Sequence, residues 1–213
     1  MHKLIRAVSQ RDCIRVMNLP NKISSFIPTA SDDARVLILG SMPGAASLAA
    51  QQYYAHPRNA FWPLMARLCG FDADLAYPAR LQALEACGIR LWDVLASCER
   101  VGSSDAAIAP GSVQINAIAS LLEPPSQLQA IALNGALATK LFRKFVAPEF
   151  YQNVQIFALP STSPAHAAKT FEQKWQAWQV LAPFLRAKSP AETAAAQSTR
   201  CSVATATRSD LQI

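Results

Sequence analysis

The side chains of this chain that could do chemistry fall into four polar clusters. They include amides, carboxylates, imidazoles and hydroxyls, set among glycine, proline and aromatic residues. The clusters are Gly40–Trp62, Asp93–Asp105, Asn134–Gly135 and Leu159–His166. Such side chains can orient a water molecule, donate hydrogen bonds to a developing negative charge and contact an anion, but an asparagine amide is not a strong general base. The clusters therefore predict a site that works mainly by positioning.

Four apolar segments must position these clusters, because each cluster lies at the end of one segment. The apolar runs are nearly continuous, which is typical of β-strands covered on both faces. The predicted strands are Arg35–Ser41, Ile89–Leu95, Leu128–Asn134 and Val154–Leu159. Helical patterns occupy Asn59–Leu68, Pro78–Ala86, Ser112–Leu122, Ala136–Val146 and Ala168–Leu185. The alternation predicts an α/β fold, a three-layer α/β/α arrangement with a four-stranded, mainly parallel central sheet.

In such a sheet, ligands bind beyond the carboxyl ends of the strands. All four clusters lie there, but each also has a structural interpretation. The glycines and proline at 40–44 could simply shape a turn, Asp93 could cap a helix, and Asn134 could form a turn before the next glycine. Loop histidines are more often stabilising than catalytic, and loop serines often cap a following helix. The convergence of all four clusters on one sheet edge favours a functional site.

Composition narrows the class of protein. The chain has 213 residues, of which 51% are hydrophobic and 16% charged, which is enough for one ordinary core. Its net charge of +6 suits a polyanionic partner but does not demand one. The 5 cysteines include no CxxC pair, so we expect no disulfide framework, zinc site or iron–sulfur cluster. No apolar stretch has the length of a signal peptide core or a membrane span, so a cytoplasmic protein is expected.

Three regions are expected along the chain. Residues 1–34 form an N-terminal extension, in which Cys13–Leu19 could add an edge strand or a helix and Asn18–Asp33 is typical of a loop. Residues 35–186 form the α/β domain. Residues 187–213 are rich in Ala, Ser and Thr and nearly free of large apolar residues, so they predict a disordered C-terminal tail.

The run GSMPGAASLAAQQYYAHPRNAFW, residues 40–62, resembles the first motif of the uracil-DNA glycosylase superfamily. The closer resemblance is to the hypoxanthine-DNA glycosylase family. That family adds a Leu-Trp-Asp strand, an Arg-x-Gly-Ser-x-Asp segment, an Asn-Gly turn and a Leu-Pro-Ser-Thr-Ser-Pro loop, and all of them occur here in order, between about Arg35 and Leu185. The resemblance implies a monofunctional DNA repair glycosylase that hydrolyses the N-glycosidic bond of a flipped-out deaminated base and leaves an abasic site. It implies no cofactor and no metal.

The resemblance also implies roles for single residues. It assigns catalysis to Asn59 and Asn134, stacking on the extruded base to Tyr54, and either base reading or loop support to Asp93. The substrate-facing turn is expected to contain Ser41, Met42, Pro43 and Gly44. Contacts to DNA are expected from Arg58, Ser161, Ser163 and His166. At position 42, uracil-excising relatives carry a water-activating aspartate or asparagine, whereas a methionine thioether is a weak acceptor. Efficient uracil removal is therefore not expected.

Two alternatives remain open at this point. The first keeps the superfamily but makes uracil or xanthine the excised base. The second is a non-catalytic nucleic-acid-binding module, although the GSMPGAAS turn is neither a P-loop nor a GxGxxG phosphate cradle. In the favoured reading the partner is DNA containing a deaminated base, and the protein is expected to act as a monomer.

Overall fold

The computed structural model describes residues 21–186 of the chain. Its central sheet has four parallel strands in the spatial order β3-β2-β6-β7. These strands are β2 (Val36–Gly40), β3 (Ile89–Asp93), β6 (Ala130–Asn134) and β7 (Gln155–Leu159). All four predicted strands are confirmed, each shorter than predicted by one or two residues at one or both ends. With helices packed against the sheet, the predicted three-layer α/β/α class is confirmed.

In residues 21–186, five α-helices lie around the sheets. They are α1 (Ala45–Ala50), α2 (Phe61–Cys69), α3 (Tyr77–Ala86), α4 (Ala136–Phe145) and α5 (Phe171–Trp178). The last helix begins later than predicted, because Thr170 and Gln173 form a capping box that fixes its first turn. After Trp178 the chain continues as a 3-10 helix, Gln179–Phe184, which contains Pro183.

The helix predicted over Ser112–Leu122 is wrong. This segment contains the short strand β5 (Gln114–Ile115) and a 3-10 turn, Ile118–Leu121. The Asn116 side chain donates hydrogen bonds to the carbonyl oxygens of Asp93 and Leu95, at 2.9 and 3.0 Å. These tertiary contacts hold the backbone extended where the local pattern favours a helix.

A second sheet lies beside the first and was not predicted. It is antiparallel, in the order β1-β4-β5, and contains β1 (Asn21–Ser24) and β4 (Leu95–Arg100). The loop expected over Asn18–Asp33 therefore contains a strand. Residues just after β1 also contact the central sheet, since the Trp92 indole donates to the carbonyl oxygen of Phe26 at 3.0 Å. The expectations for residues 1–20 and 187–213 lie outside the described residues.

The core consists of two apolar clusters, one on each face of the central sheet. Alternate residues of β2 enter opposite clusters, because successive side chains of a strand point to opposite faces. Val36 and Ile38 join the cluster that contains Phe61 of α2, whereas Leu37 and Leu39 join the cluster that contains Phe142 of α4. In the described part of the chain, every helix is too short or too polar to cross a lipid bilayer.

Candidate active site

The carboxyl ends of three neighbouring strands place Gly40, Asp93 and Asn134 together. In the β2–β3 pair Gly40 lies opposite Asp93, and in the β2–β6 pair Leu39 lies opposite Leu133, the residue before Asn134. Asp93 and Asn134 are both buried, with 3% and 8% of their surface exposed. The parallel register therefore brings a carboxylate and an amide to the same edge, on either side of a glycine.

Asn134 is held by Thr162, whose role the sequence pattern did not reveal. The Asn134 amide nitrogen donates to Thr162 Oγ1, and its carbonyl oxygen accepts from the Thr162 backbone N–H, both at 2.9 Å. Thr162 is 1% exposed, whereas its neighbours Ser161 and Ser163 are partly exposed. Alternation of inward and outward side chains in an extended loop is the signal that could have identified it.

Thr162 also connects the two asparagines assigned to catalysis. Its carbonyl oxygen accepts from the backbone N–H of Ala60 at 3.0 Å, next to Asn59. The side-chain oxygen of Asn59, Oδ1, accepts from the Phe61 N–H at 3.0 Å. This side chain therefore supports the start of α2. A carbonyl oxygen has two lone pairs, which leaves capacity for a water molecule. The structure thus joins the first motif loop to the loop that follows β7.

Asp93 is a buried carboxyl group with one polar partner of normal geometry. Its Oδ2 accepts from the Ser25 hydroxyl at 2.8 Å, and no ion pair reaches it within residues 21–186. Burial raises the pKa of Asp93 from 3.8 to about 7, although the Ser25 hydrogen bond and the nearby charge of Arg100 lower it. This carboxyl group therefore changes its charge near neutral pH. Ser25 is another residue that the sequence did not reveal.

Tyr54 has an unusual backbone and an unsatisfied hydroxyl. Its φ of 56° lies in the left-handed region, which a bulky residue adopts only when its surroundings enforce it. Its ring stacks on Phe61, with centroids 3.8 Å apart and an interplanar angle of 18°. The hydroxyl is buried, makes no hydrogen bond of normal geometry within the described residues, and lies near the Asn134 side chain. Burial raises the pKa of Tyr54 and the Asp93 charge raises it further, whereas the interaction with Asn134 lowers it, and the hydroxyl stays protonated.

Gly40 allows Asp93 and Tyr54 to lie close to the end of β2, because it has no side chain. A Cβ atom at position 40 would collide with Asp93 Oδ1 and would lie 3.3 Å from the Tyr54 hydroxyl. Glycine at the end of β2 therefore allows the side chains of Asp93 and Tyr54 to pack against the strand at the same point.

Replacing Gly40 with alanine is expected to displace Asp93 or Tyr54, because neither is a flexible surface side chain. We expect kcat/KM to fall at least tenfold and overpacking to cost about 1–3 kcal/mol of unfolding free energy. Steady-state kinetics and thermal unfolding measure the two effects. Wild-type activity of G40A would show that the three residues do not need to be this close.

The turn after β2 is held by a loop from the second sheet. The Ser41 hydroxyl donates to Asp105 Oδ1 at 2.9 Å, and the Pro43 carbonyl oxygen accepts from Arg100 Nη2 at 2.5 Å. Gly44 precedes α1, whose first N–H, of Ala45, donates to the Ser103 hydroxyl at 2.8 Å. The Arg-x-Gly-Ser-x-Asp segment therefore positions the substrate-facing turn.

Met42 lies in an apolar environment. It is 7% exposed and belongs to the buried cluster that contains Leu39 and Trp92. Neither its thioether nor these neighbours can orient a water molecule strongly. If water is held in this site, another residue must hold it.

The predicted DNA-contacting residues lie on two loops. Arg58 is exposed. The Ser161 hydroxyl accepts from the Ser163 N–H and the Ser163 hydroxyl accepts from the Ala165 N–H, each at 3.2 Å. His166 is partly exposed, and its Nε2 is buried without a hydrogen-bond partner in the described structure. The described residues contain no group of His, Cys, Asp and Glu side chains arranged to hold a metal.

Comparisons with known proteins identify the family. The model of the uracil DNA glycosylase superfamily matches residues 27–182. The chain belongs to the uracil DNA glycosylase superfamily. It is 34% identical over 155 residues to a hypoxanthine DNA glycosylase of Methanosarcina acetivorans, covering 71% of this chain and 94% of the relative. It is 36% identical over 115 residues to a hypoxanthine DNA glycosylase of Methanosarcina barkeri, covering 54% and 72%.

A solved structure supports the superfamily fold. The solution NMR structure of a candidate uracil DNA glycosylase from M. acetivorans superposes with a TM-score of 0.63 at 30% identity. The match covers 76% of this chain and 96% of that protein. The superfamily model matches from residue 27, which lies within the region 1–34 expected to be an N-terminal extension.

Proposed function

We propose that this superfamily member is a monofunctional hypoxanthine-DNA glycosylase. It hydrolyses the N-glycosidic bond of deoxyinosine flipped out of DNA and leaves an abasic site. The observation that carries the proposal is the bridge through Thr162, which fixes the Asn134 amide and contacts the residue after Asn59. The names of the two Methanosarcina relatives support hypoxanthine as the base.

The reaction requires a cationic, oxocarbenium-like sugar and an anionic departing base, with water arriving on the other face of the sugar. Asn59 orients that water through the second lone pair of its carbonyl oxygen, and positioning replaces strong base catalysis. Asn134 keeps one amide hydrogen on Thr162 and directs the other to the departing purine. A pre-organised donor of this kind is worth roughly 3 kcal/mol in the transition state.

The remaining site residues recognise the base. Tyr54 stacks on the extruded purine with the ring face that Phe61 does not cover, which compensates for part of the lost stacking in the duplex. Asp93, when ionised, accepts a hydrogen bond from N1–H of hypoxanthine. The turn of Ser41, Met42, Pro43 and Gly44 forms the wall beside the base. These assignments give a function to a buried carboxyl group that has no ion pair within residues 21–186.

The pH dependence of excision tests the role of Asp93. Because the pKa of this group is about 7, excision is expected to rise between about pH 6 and pH 8 as the carboxylate forms. Asp93→Asn should lower kcat/KM and flatten this rise. Burial raises the folded-state pKa, so ionisation destabilises the folded protein as pH rises from about 4 to 7. D93N should therefore melt at a higher temperature than wild type at pH 8, with a smaller difference at pH 5. A D93N profile parallel to that of wild type would assign the ionisation to another group.

The DNA backbone is held by the exposed loops. Ser161 and Ser163 donate to phosphate oxygens, His166 contacts phosphate or fills the space left by the flipped base, and the exposed Arg58 contacts the DNA backbone. The chain acts as a monomer on DNA that contains a deaminated base, in the cytoplasm.

A panel of duplexes tests the proposal directly. Purified protein is incubated with duplexes containing one hypoxanthine, uracil or xanthine, and alkali then reveals abasic sites. Release of hypoxanthine at the highest rate is expected, without strand cleavage before alkali. Faster release of uracil or xanthine would reassign the substrate, and the absence of release from every duplex would favour a non-catalytic module.

A further inference from the structure

Lys174 is a buried lysine next to the loop that follows β7. It lies on α5 and only 5% of its surface is exposed. Its Nζ donates to the carbonyl oxygen of Ser163 at 3.5 Å, a long hydrogen bond. An ammonium group has three donors. Most of its hydrogen-bonding capacity is therefore unused by the protein.

Among the described residues, the Lys174 charge also lacks a carboxylate partner. The two ion pairs of the described residues join Arg67 to Glu172 and Arg186 to Asp33. Burying a cation without an anion is costly, and burial lowers the pKa of Lys174. Within residues 21–186 no carboxylate pairs with the ammonium group, so an anion from a bound partner would offset the cost of burying this charge.

The surroundings of Lys174 indicate where that anion binds. One turn further along α5, the Trp178 indole donates to the carbonyl oxygen of Pro160 at 3.0 Å, so the inner face of the helix supports the loop 160–166 at two points. The Ser163 carbonyl oxygen also accepts from the His166 N–H at 3.1 Å. His166 belongs to this loop, and its Nε2 is buried without a hydrogen-bond partner in the described structure. Two buried side-chain nitrogens with unused hydrogen-bonding capacity, those of Lys174 and His166, therefore lie at the same short loop.

We propose that Lys174 supplies the positive charge with which the loop 160–166 holds one DNA phosphate. This inference rests on the proposed function, because it takes DNA as the partner. Serine hydroxyls of the loop fix the position of the phosphate, and the ammonium group beneath them neutralises its charge. Lys174 has no contact with the reacting atoms, so it positions the DNA and takes no part in bond cleavage.

The salt dependence of DNA binding separates this role from simple loop support. Neutralising one phosphate contributes about 0.9 to the slope of log K against log salt concentration. Lys174→Gln keeps a donor for the Ser163 carbonyl oxygen but removes the charge. Lys174→Met removes both and keeps an apolar stem. The control is Lys144→Gln, which removes one charge from the exposed last turn of α4, at the opposite end of the strands.

Binding is measured by fluorescence anisotropy on a duplex with an abasic-site analogue, at salt concentrations from about 50 to about 200 mM. We expect K174Q and K174M to bind about 3–10-fold more weakly than wild type and to lose about one unit of slope, while K144Q keeps the wild-type slope. Thermal unfolding confirms that each variant is folded. A wild-type slope in folded K174Q or K174M would overturn the proposal and leave Lys174 as a support for the loop. Because this assay needs no base release, its failure is distinct from a failure to excise hypoxanthine.

Discussion

Replacing Asn59 with alanine is expected to lower the rate of hypoxanthine release at least 100-fold while DNA binding changes little. The side chain is assigned to water positioning, and a positioned proton-transfer or water-orienting group typically contributes about 10²–10⁴ to the rate. No other polar side chain takes over this role at position 42, because Met42 lies in the apolar cluster with Leu39 and Trp92. Single-turnover kinetics with enzyme in excess measure the chemical step, and anisotropy measures binding.

The structure shows that Asn59 has a second role that the experiment must separate. Its carbonyl oxygen accepts from the Phe61 N–H at the start of α2, and loss of a helix-capping acceptor costs about 0.5–2 kcal/mol. Asn59→Ser retains a short acceptor for that N–H but cannot reach a water molecule held by the longer amide. N59S should therefore recover most of the melting temperature lost in N59A but little of the activity. If N59S restores both, the residue serves only the helix.

The four parallel strands are predictable from sequence for a simple physical reason. Both faces of β2 and β6 are covered, so every residue of Val36–Gly40 and Ala130–Asn134 is buried, and the apolar runs are continuous. The antiparallel sheet is less visible, because its strands pair across long separations, as Asn21 with Arg100, and β5 has only two residues. Local sequence patterns do not show which distant segments pair with each other.

The site residues also differ in how well the sequence predicts them. The residues at the strand ends are predictable from topology, since the carboxyl ends of parallel strands meet at one edge. The residues that hold those side chains in place are not predictable in this way. Ser25 reaches Asp93 across 68 positions and Thr162 reaches Asn134 across 28. Serines and threonines are common in loops, so their types alone do not single out these two. The partners become visible only when the loops have been folded over the sheet.

Substitutions at Asn134 are expected to have the second large effect. Asn134→Ala removes the amide that donates to the departing purine, and loss of one pre-organised donor of this kind lowers kcat by about 10²–10³. Asn134→Asp should be slower still, because a carboxylate would oppose the negative charge that develops on the base. The ordering of these two variants, rather than either rate alone, tests whether charge develops beside this residue. The two variants are compared by single-turnover rates at pH 8, a pH chosen to favour the ionised form of the introduced carboxylate.

Thr162 provides the control for this prediction, because it fixes the Asn134 amide without facing the base in the proposed mechanism. Thr162→Val removes the hydroxyl that accepts from the Asn134 amide nitrogen but keeps the backbone N–H that donates to its carbonyl oxygen. An Asn134 amide held by one hydrogen bond instead of two should release hypoxanthine about tenfold more slowly, since misplacement by about 1 Å can cost roughly 100-fold in rate. Thr162→Ser, which keeps the hydroxyl, should remain close to wild type. If N134A and N134D release hypoxanthine at equal rates and T162V matches both, Asn134 acts only by holding the loop, and the donor to the leaving base must be sought among the backbone N–H groups of the Ser41–Gly44 turn.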